Sequence, residues 1–243
     1  MTTPATSEAE LLIAANRADT LETVLGWLLH DVRTPTQVLT LLPQLLSGPD
    51  QASDWHDAVR EACTHLSSDL RLLDRVLLRA KDRRTAQPVD LGATLRLVNE
   101  LFATRRSQFR TDITAALDAA LPPVSAIPED LEHALINLVL NAAEADDGDD
   151  GHICFRGELA RGTVVLRLED NGPGVAAPIR ERLFQPFTTT KPSRRGLGLY
   201  VARALVSRVG GEISCEEAEP RGARFVLRMP IWRSGSPQEH LLH

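Results

Sequence analysis

Apolar residues recur in steps of four and three along the first part of the chain. They are Leu21, Leu25, Leu28, Val32, Pro35, Leu39, Leu42 and Leu46. This spacing is typical of the seam of a coiled coil or helical bundle, so it predicts one long helix over residues 8–46. A Ser-Gly-Pro-Asp turn at 47–50 precedes a second predicted helix over residues 52–84, which has one apolar face.

These two helices form a predicted hairpin whose apolar stripe is too wide for a single partner helix. Pairing two hairpins into a four-helix bundle would bury both stripes, so we expect a homodimer. His30 follows Leu28 by two residues, about 200° around a helix, and therefore faces away from the seam. We expect this histidine to face solvent or a docked domain.

After residue 87 the pattern changes to helices interleaved with strands. Helices are predicted over 91–106, 128–145 and 197–209, and strands over 109–117, 152–159, 163–170, 213–217 and 224–229. This order favours a two-layer α/β sandwich. We therefore predict a helical domain at 1–87, an α/β domain at 88–232 and a disordered tail at 233–243.

Composition narrows the class of protein. The 243 residues carry a net charge of −6, which argues against a nucleic-acid-binding surface. No apolar run is long enough to span a bilayer, and the N-terminus does not resemble a secretory signal. The chain has three widely separated cysteines and no spacing that suggests zinc. We therefore expect a reduced, cytoplasmic setting.

The predicted helix at 128–145 carries two polar residues in an almost wholly apolar sequence. Asn137 and Asn141 are four residues apart, so both amides project from one face. Two solvated polar residues would be the plainest interpretation, but the apolar neighbours leave no solvated face. Buried amides need partners, and an amide oxygen is a good ligand for Mg²⁺.

An Asp-Asn-Gly-Pro-Gly segment directly follows the predicted strand at 163–170. The Asp170 carboxylate can accept a hydrogen bond from an exocyclic amine, and Gly172 and Gly174 allow a flat base to approach the backbone. Taken alone, the segment is better explained as a turn. Next to the asparagine pair, it indicates a site for a nucleotide base.

A second glycine pair, in Gly196-Leu197-Gly198, opens the predicted helix at 197–209. The free N–H groups at a helix start suit a phosphate. Nearby Lys191, Arg194 and Arg195 are candidates to clamp phosphoryl oxygens. Lys191 is one of only two lysines in the chain and follows Thr188, Thr189 and Thr190. We expect residues 188–195 to form a lid over the site.

Taken together and in this order, the motifs resemble those of a two-component sensor histidine kinase. They are His30-Asp31-Val32-Arg33-Thr34-Pro35, Asn137-Leu138-Val139-Leu140-Asn141, Asp170-Asn171-Gly172-Pro173-Gly174, Phe184-Gln185-Pro186-Phe187 and Gly196-Leu197-Gly198-Leu199. The resemblance covers residues 21–229. It implies a dimeric phosphoacceptor hairpin followed by a Bergerat-type ATP-binding domain. The segment at 184–191 is most similar to the nitrogen-regulation type of these kinases.

The resemblance also implies roles for individual residues. His30 would be the phosphoacceptor, Asp31 would orient it or take its proton, and Thr34 would align water for dephosphorylation of the partner. Asn141, supported by Asn137, would hold Mg²⁺, and Asp170 would read adenine. The remaining ATP-binding positions would be Gly172, Gly174, Thr190, Lys191, Arg195, Gly196, Leu197 and Gly198. The phosphoryl group would pass from His30 to an aspartate of a response-regulator receiver domain.

The chain departs from the family pattern at a few positions. Arg194 stands where the family usually has a glycine, Thr36 replaces a common leucine, and Glu144 lies at a position that is often basic. Glu144 thus leaves one phosphate contact in doubt. Related ATPases carry a glutamate general base where this chain has Asn137. The absence of that glutamate fits phosphoryl transfer to His30 in place of hydrolysis.

Three other functions compete with this interpretation. A histidine phosphotransfer adaptor would keep the bundle but have a degenerate second domain. An anti-sigma type serine kinase would lack the hairpin. A purely structural dimer would leave the polar motifs unexplained. Only about twenty residues precede the heptad run, too few for a ligand-binding fold. We therefore expect a separate sensor protein, or a signal acting directly on the helices, to supply the input.

Overall fold

A computed structural model describes residues 7–20, 22–23, 85–103, 111–145, 151–191, 195–219 and 221–233. The chain divides into two compact units. One comprises Met1–Asn16 with Arg83–His243, and the other comprises Arg17–Asp82. Nearly all described residues belong to the first unit, and the account below concerns that unit.

The unit begins with helix α1, which covers residues 8–20 and so crosses the division at Asn16. The remaining helices are α2 (Leu91–Ala103), α3 (Pro128–Ala143), α4 (Ala177–Arg180) and α5 (Gly198–Ser207). The strands are β1 (Gln87–Val89), β2 (Thr111–Leu117), β3 (Val124–Ala126), β4 (Gly151–Ala160), β5 (Thr163–Asp170), β6 (Glu212–Glu217) and β7 (Ala223–Pro230).

Five of the strands form one mixed sheet in the order β2-β4-β5-β7-β6. Strands β2 and β4 are parallel, and the other neighbouring strands are antiparallel. Strands β1 and β3 pair separately as a small antiparallel sheet. The tight turn at Arg161 and Gly162, both with positive φ, joins β4 to β5.

The two faces of the large sheet differ in chemistry. Alternate residues of its strands, including Phe155, Leu166 and Phe225, are buried under helices α2, α3 and α5. The opposite face carries ion pairs between neighbouring strands, such as Arg167 with Glu158 at 2.9 Å and Arg224 with Glu169 at 2.7 Å. The result is a two-layer sandwich with the core between the helices and one face of the sheet.

The predicted α/β sandwich is confirmed, and its larger elements lie close to their predicted bounds. Helix α3 ends at Ala143, because Glu144 and Ala145 form a turn. The short strands β1 and β3 and the single-turn helix α4 were not predicted, since three or four residues carry too little periodicity to be recognised.

The first thirteen residues of the long helix predicted over 8–46 are helical. The rest of the predicted hairpin and most of the predicted tail lie outside the described residues. Within the part of the chain that the structure describes, no helix is both long enough and apolar enough to cross a membrane.

Candidate nucleotide-binding site

Helix α3 supplies the central side chains of the site. Pro128 lies in its first turn, where a backbone N–H would have no partner within the helix, so proline is tolerated there. Glu129 and Asp130 follow at the positive end of the helix dipole, which favours acidic side chains. Twelve of its sixteen residues are buried, which agrees with the apolar sequence. The predicted amides therefore project from a helix that is packed on nearly every side.

Asn137 is 5% exposed and its amide has a defined orientation. Its Nδ2 donates to the backbone oxygen of His133 and to Oδ1 of Asn16, each at 3.0 Å. A backbone carbonyl only accepts hydrogen bonds, so the nitrogen must face His133. The amide oxygen is then turned towards the start of α5, where a β-carbon added at Gly198 would lie 3.1 Å from it.

Asp170 lies at the end of β5 and is 7% exposed. Its Oδ1 accepts hydrogen bonds from the backbone N–H groups of Gly172 at 3.0 Å and Ala223 at 3.1 Å. These two donors come from separate segments, the loop after β5 and the first residue of β7. They hold the carboxylate in one orientation at the rim of the sheet.

Glycine is required at 222 by the approach of the backbone to Asp170. Gly222 has φ of 111°, and a β-carbon there would overlap the carbonyl oxygen of Asp170. On β6, the strand next to β7, burial raises the pKa of the Cys215 thiol to about 11, and the Asp170 carboxylate adds to this rise. The thiol is therefore uncharged at neutral pH.

The segment before α5 folds back on itself. Phe187 has φ of 63° and is 65% exposed, and Gly196 has φ of 68°. A β-carbon at Gly196 would lie 2.7 Å from both the Phe187 carbonyl carbon and the Thr188 oxygen. Only glycine allows this close approach, which brings the two ends of the predicted lid together. Residues 192–194 lie outside the described part of the chain.

Lys191 reaches the C-terminal end of helix α3. Its Nζ lies 3.5 Å from the Asn141 backbone oxygen and 3.5 Å from Oε2 of Glu144. The backbone N–H of Lys191 donates to Oγ1 of Thr189 at 3.0 Å. The ammonium is thus placed beside Asn141 by contacts at both ends of the residue.

The site therefore has two ends, and both adjoin the C-terminal part of helix α3. The Asp170 end consists of Asp170, Gly172, Gly222 and Ala223. The Lys191 end consists of Asn141, Glu144, Thr189 and Lys191. The two ends meet at helix α3, because a β-carbon at Gly172 would lie 3.8 Å from the β-carbon of Ala145, which directly follows Glu144.

Most of the predicted site residues lie around helix α3. Asn137 faces Gly198, Asn141 adjoins Lys191, and Leu197 is buried just before α5. Gly174 adjoins Gly222, because a β-carbon added at Gly174 would lie 3.0 Å from the Gly222 backbone oxygen. Thr190 and Arg195 are exposed. His30, Asp31 and Thr34 lie outside the described residues.

Sequence reasoning missed the residues that support the predicted ones. Asn16 binds Asn137 from 121 positions away, and Ala223 and Gly222 hold Asp170 from the next strand in the sheet. The Arg-Gly pair at 221–222 before a strand was a weak signal for a tight turn. Nothing in the sequence indicated the role of Asn16.

The residues present suit a nucleotide with its divalent cation. Added β-carbons at Gly172 and Gly198 would crowd Asp170 and Asn137, so the glycines leave space beside the two polar groups. An oriented amide oxygen is a ligand that Mg²⁺ accepts, and an acceptor carboxylate suits an exocyclic amine. The Lys191 ammonium provides positive charge for phosphate.

A family model described as histidine kinase-, DNA gyrase B-, and HSP90-like ATPase matches residues 126–233. The C4-dicarboxylate transport sensor protein DctB of Rhizobium meliloti (strain 1021) is 40% identical over 150 residues, which cover 60% of this chain and 23% of DctB. The sensory histidine kinase/phosphatase NtrB of Rhizobium leguminosarum bv. phaseoli is 31% identical, and the match covers 87% of this chain and 59% of NtrB.

Among solved structures, the catalytic domain of the histidine kinase ThkA matches with a TM-score of 0.55 and 30% identity. The match covers 60% of this chain and 95% of that domain. The chain therefore spans nearly all of a known catalytic domain, but only 23% of DctB and 59% of NtrB.

Proposed function

Since this chain belongs to the two-component sensor histidine kinase family, we propose that it is an ATP-dependent kinase that phosphorylates its own His30. The observation that carries the proposal is the arrangement around helix α3, which brings the oriented amide of Asn137, the ammonium of Lys191 and the loop after Asp170 to one helix. The match to NtrB, over 87% of this chain, supports the same activity.

In the proposed mechanism the Asp170 carboxylate accepts a hydrogen bond from the adenine amino group. Its fixed orientation means that little reorganisation accompanies binding. Asn141 and Asn137 would hold Mg²⁺, which would neutralise charge on the phosphates. Lys191 and Arg195 would bind phosphoryl oxygens, and the N–H groups at the start of α5, around Gly198, would add donors.

Phosphoryl transfer would join a ring nitrogen of His30 to the terminal phosphorus and release ADP. A histidine is largely neutral at cellular pH, so Asp31 would need only to orient the ring or take its proton. Asn137 stands where related ATPases use a glutamate base, which favours transfer to His30 over hydrolysis.

Beyond the catalytic domain, the proposal includes a homodimeric four-helix bundle formed by residues 1–87, with the ATP-binding domain at 88–232. The phosphoryl group would pass to an aspartate of a response-regulator receiver domain. Thr34 would align the water that hydrolyses this aspartyl phosphate and releases inorganic phosphate. The apolar stripes of the two predicted helices and the likeness to a kinase/phosphatase support these assignments.

The test is to incubate the protein with Mg²⁺ and γ-labelled ATP. We expect acid-labile, alkali-stable label in the wild type and none in a His30→Gln variant. His65→Gln, which removes a histidine of the second predicted helix, is the matched control and should label normally. Measurable ATP binding by the wild type without any label would refute autophosphorylation. Absence of nucleotide binding would favour the phosphotransfer adaptor.

A further inference from the structure

We propose that Glu144 is a positioning residue that holds the Lys191 ammonium beside Asn141, at the end of the site where phosphate would bind. The inference rests on the proposed function, because it gives Lys191 its ligand. A phosphate site favours positive charge, and the proposal explains why the negatively charged Glu144 lies beside one.

The ammonium of Lys191 is held by three sources of negative potential. Its Nζ lies 3.5 Å from Glu144 Oε2 and 3.5 Å from the Asn141 carbonyl oxygen. Both acceptors lie at the C-terminal end of α3, where the helix dipole places partial negative charge. The side chains of Lys191 and Glu144 are only 28% and 20% exposed, so solvent screens their attraction incompletely.

This restraint matters because a lysine side chain is otherwise mobile. Fixing a free lysine side chain in one position costs rotamer entropy. Here the backbone of Lys191 is held by the Thr189 hydroxyl at 3.0 Å, and its head group is held by Glu144. The arrangement places the ammonium near Asn141 before any nucleotide arrives, which is what catalytic positioning requires.

The length of the contact also fits a positioning role. Strong charge-assisted hydrogen bonds are about 2.7–2.9 Å long, whereas this one is 3.5 Å. Glu144 therefore places the cation without competing strongly for it.

Two opposite effects are expected from the Glu144 charge. If Glu144 only repels phosphate, then Glu144→Gln should tighten ATP binding and leave or raise the rate. If Glu144 positions Lys191, then the same change should slow labelling at saturating ATP by about fivefold. Affinity for ADP, which lacks the terminal phosphate, should change by less than about twofold.

A double-mutant cycle tests the inference. Glu144→Gln, Lys191→Met and the double variant are compared for the autophosphorylation rate at saturating ATP and for ADP affinity. We expect the loss of about fivefold from Glu144→Gln to disappear in the Lys191→Met background, because Glu144 acts only through Lys191. Glu144→Asp, which keeps the carboxylate, should recover at least half of the rate.

The matched control is Glu158→Gln. Glu158 forms an ion pair with Arg167 at 2.9 Å on the sheet face opposite the helices, so this change also removes a paired carboxylate. Its rate should equal that of the wild type. An equal loss in both Lys191 backgrounds would overturn the inference in favour of a structural role, and a faster Glu144→Gln would overturn it in favour of repulsion. A wild type that binds ADP but never labels would overturn the proposed function as well.

Discussion

The two ends of the site are held by different kinds of contact. At the Asp170 end, a buried carboxylate is held by backbone N–H groups from Gly172 and Ala223. At the Lys191 end, a half-buried ammonium is held by the side chain of Glu144 and by a helix terminus. The first end depends on backbone geometry and the second on charge.

This difference predicts that the two ends tolerate change differently. A backbone contact cannot be rebuilt by a neighbouring side chain, so the Asp170 end requires glycine where the chain approaches closely. An ion pair depends on charge, distance and solvent exposure, so other residues of suitable length and charge can form it.

The largest effect is expected from Gly222→Ala. An alanine would have to adopt φ of 111° and would overlap the Asp170 carbonyl. We expect a loss of about 3 kcal/mol or more in the free energy of unfolding, measured by urea denaturation of the chain. The matched control is Gly162→Ala, which has φ of 79° but nothing within 4 Å of the added carbon. It should cost about 1 kcal/mol. Equal losses would mean that contact with Asp170 is unimportant.

A smaller effect is expected from Asp170→Asn, measured as the affinity for ADP by isothermal titration calorimetry. The amide keeps one oxygen for the N–H groups of Gly172 and Ala223, so the fold should persist. Its NH₂ group would face the adenine amine as a second donor. We expect binding about 100-fold weaker, or about 2.7 kcal/mol. An unchanged dissociation constant would remove Asp170 from the base site.

The smallest effect is expected from Asn16→Ala, which tests the hydrogen bond between Asn16 and Asn137. The change removes the Asn16 oxygen that accepts from Asn137 and leaves one buried donor without this acceptor. We expect a loss of about 1–2 kcal/mol in the free energy of unfolding. Asn99→Ala, at an exposed position of α2, should stay within about 0.5 kcal/mol of the wild type. A loss no larger than that of Asn99→Ala would show that the Asn16 contact does not support Asn137.

The long elements of the α/β domain were predictable because their periodicity is strong. Helix α3 and strands β4 and β5 have the bounds that their apolar patterns indicated, within two residues. Asn137, on helix α3, is buried as its apolar neighbours indicated. The short strands β1 and β3 were not predicted, because three residues are too few to show an alternation of apolar and polar positions.

The sequence by itself determined which residues are the candidates for the chemistry, since amides on an apolar helix and a carboxylate beside paired glycines can be recognised as local patterns. Only the tertiary structure decided what holds those residues in place. Asn16 reaches Asn137, Ala223 reaches Asp170, and Lys191 reaches Glu144 across 47 to 121 positions. Such pairings depend on how helices and strands pack, because hydrogen bonds and ion pairs act over a few ångströms in space and not along the chain.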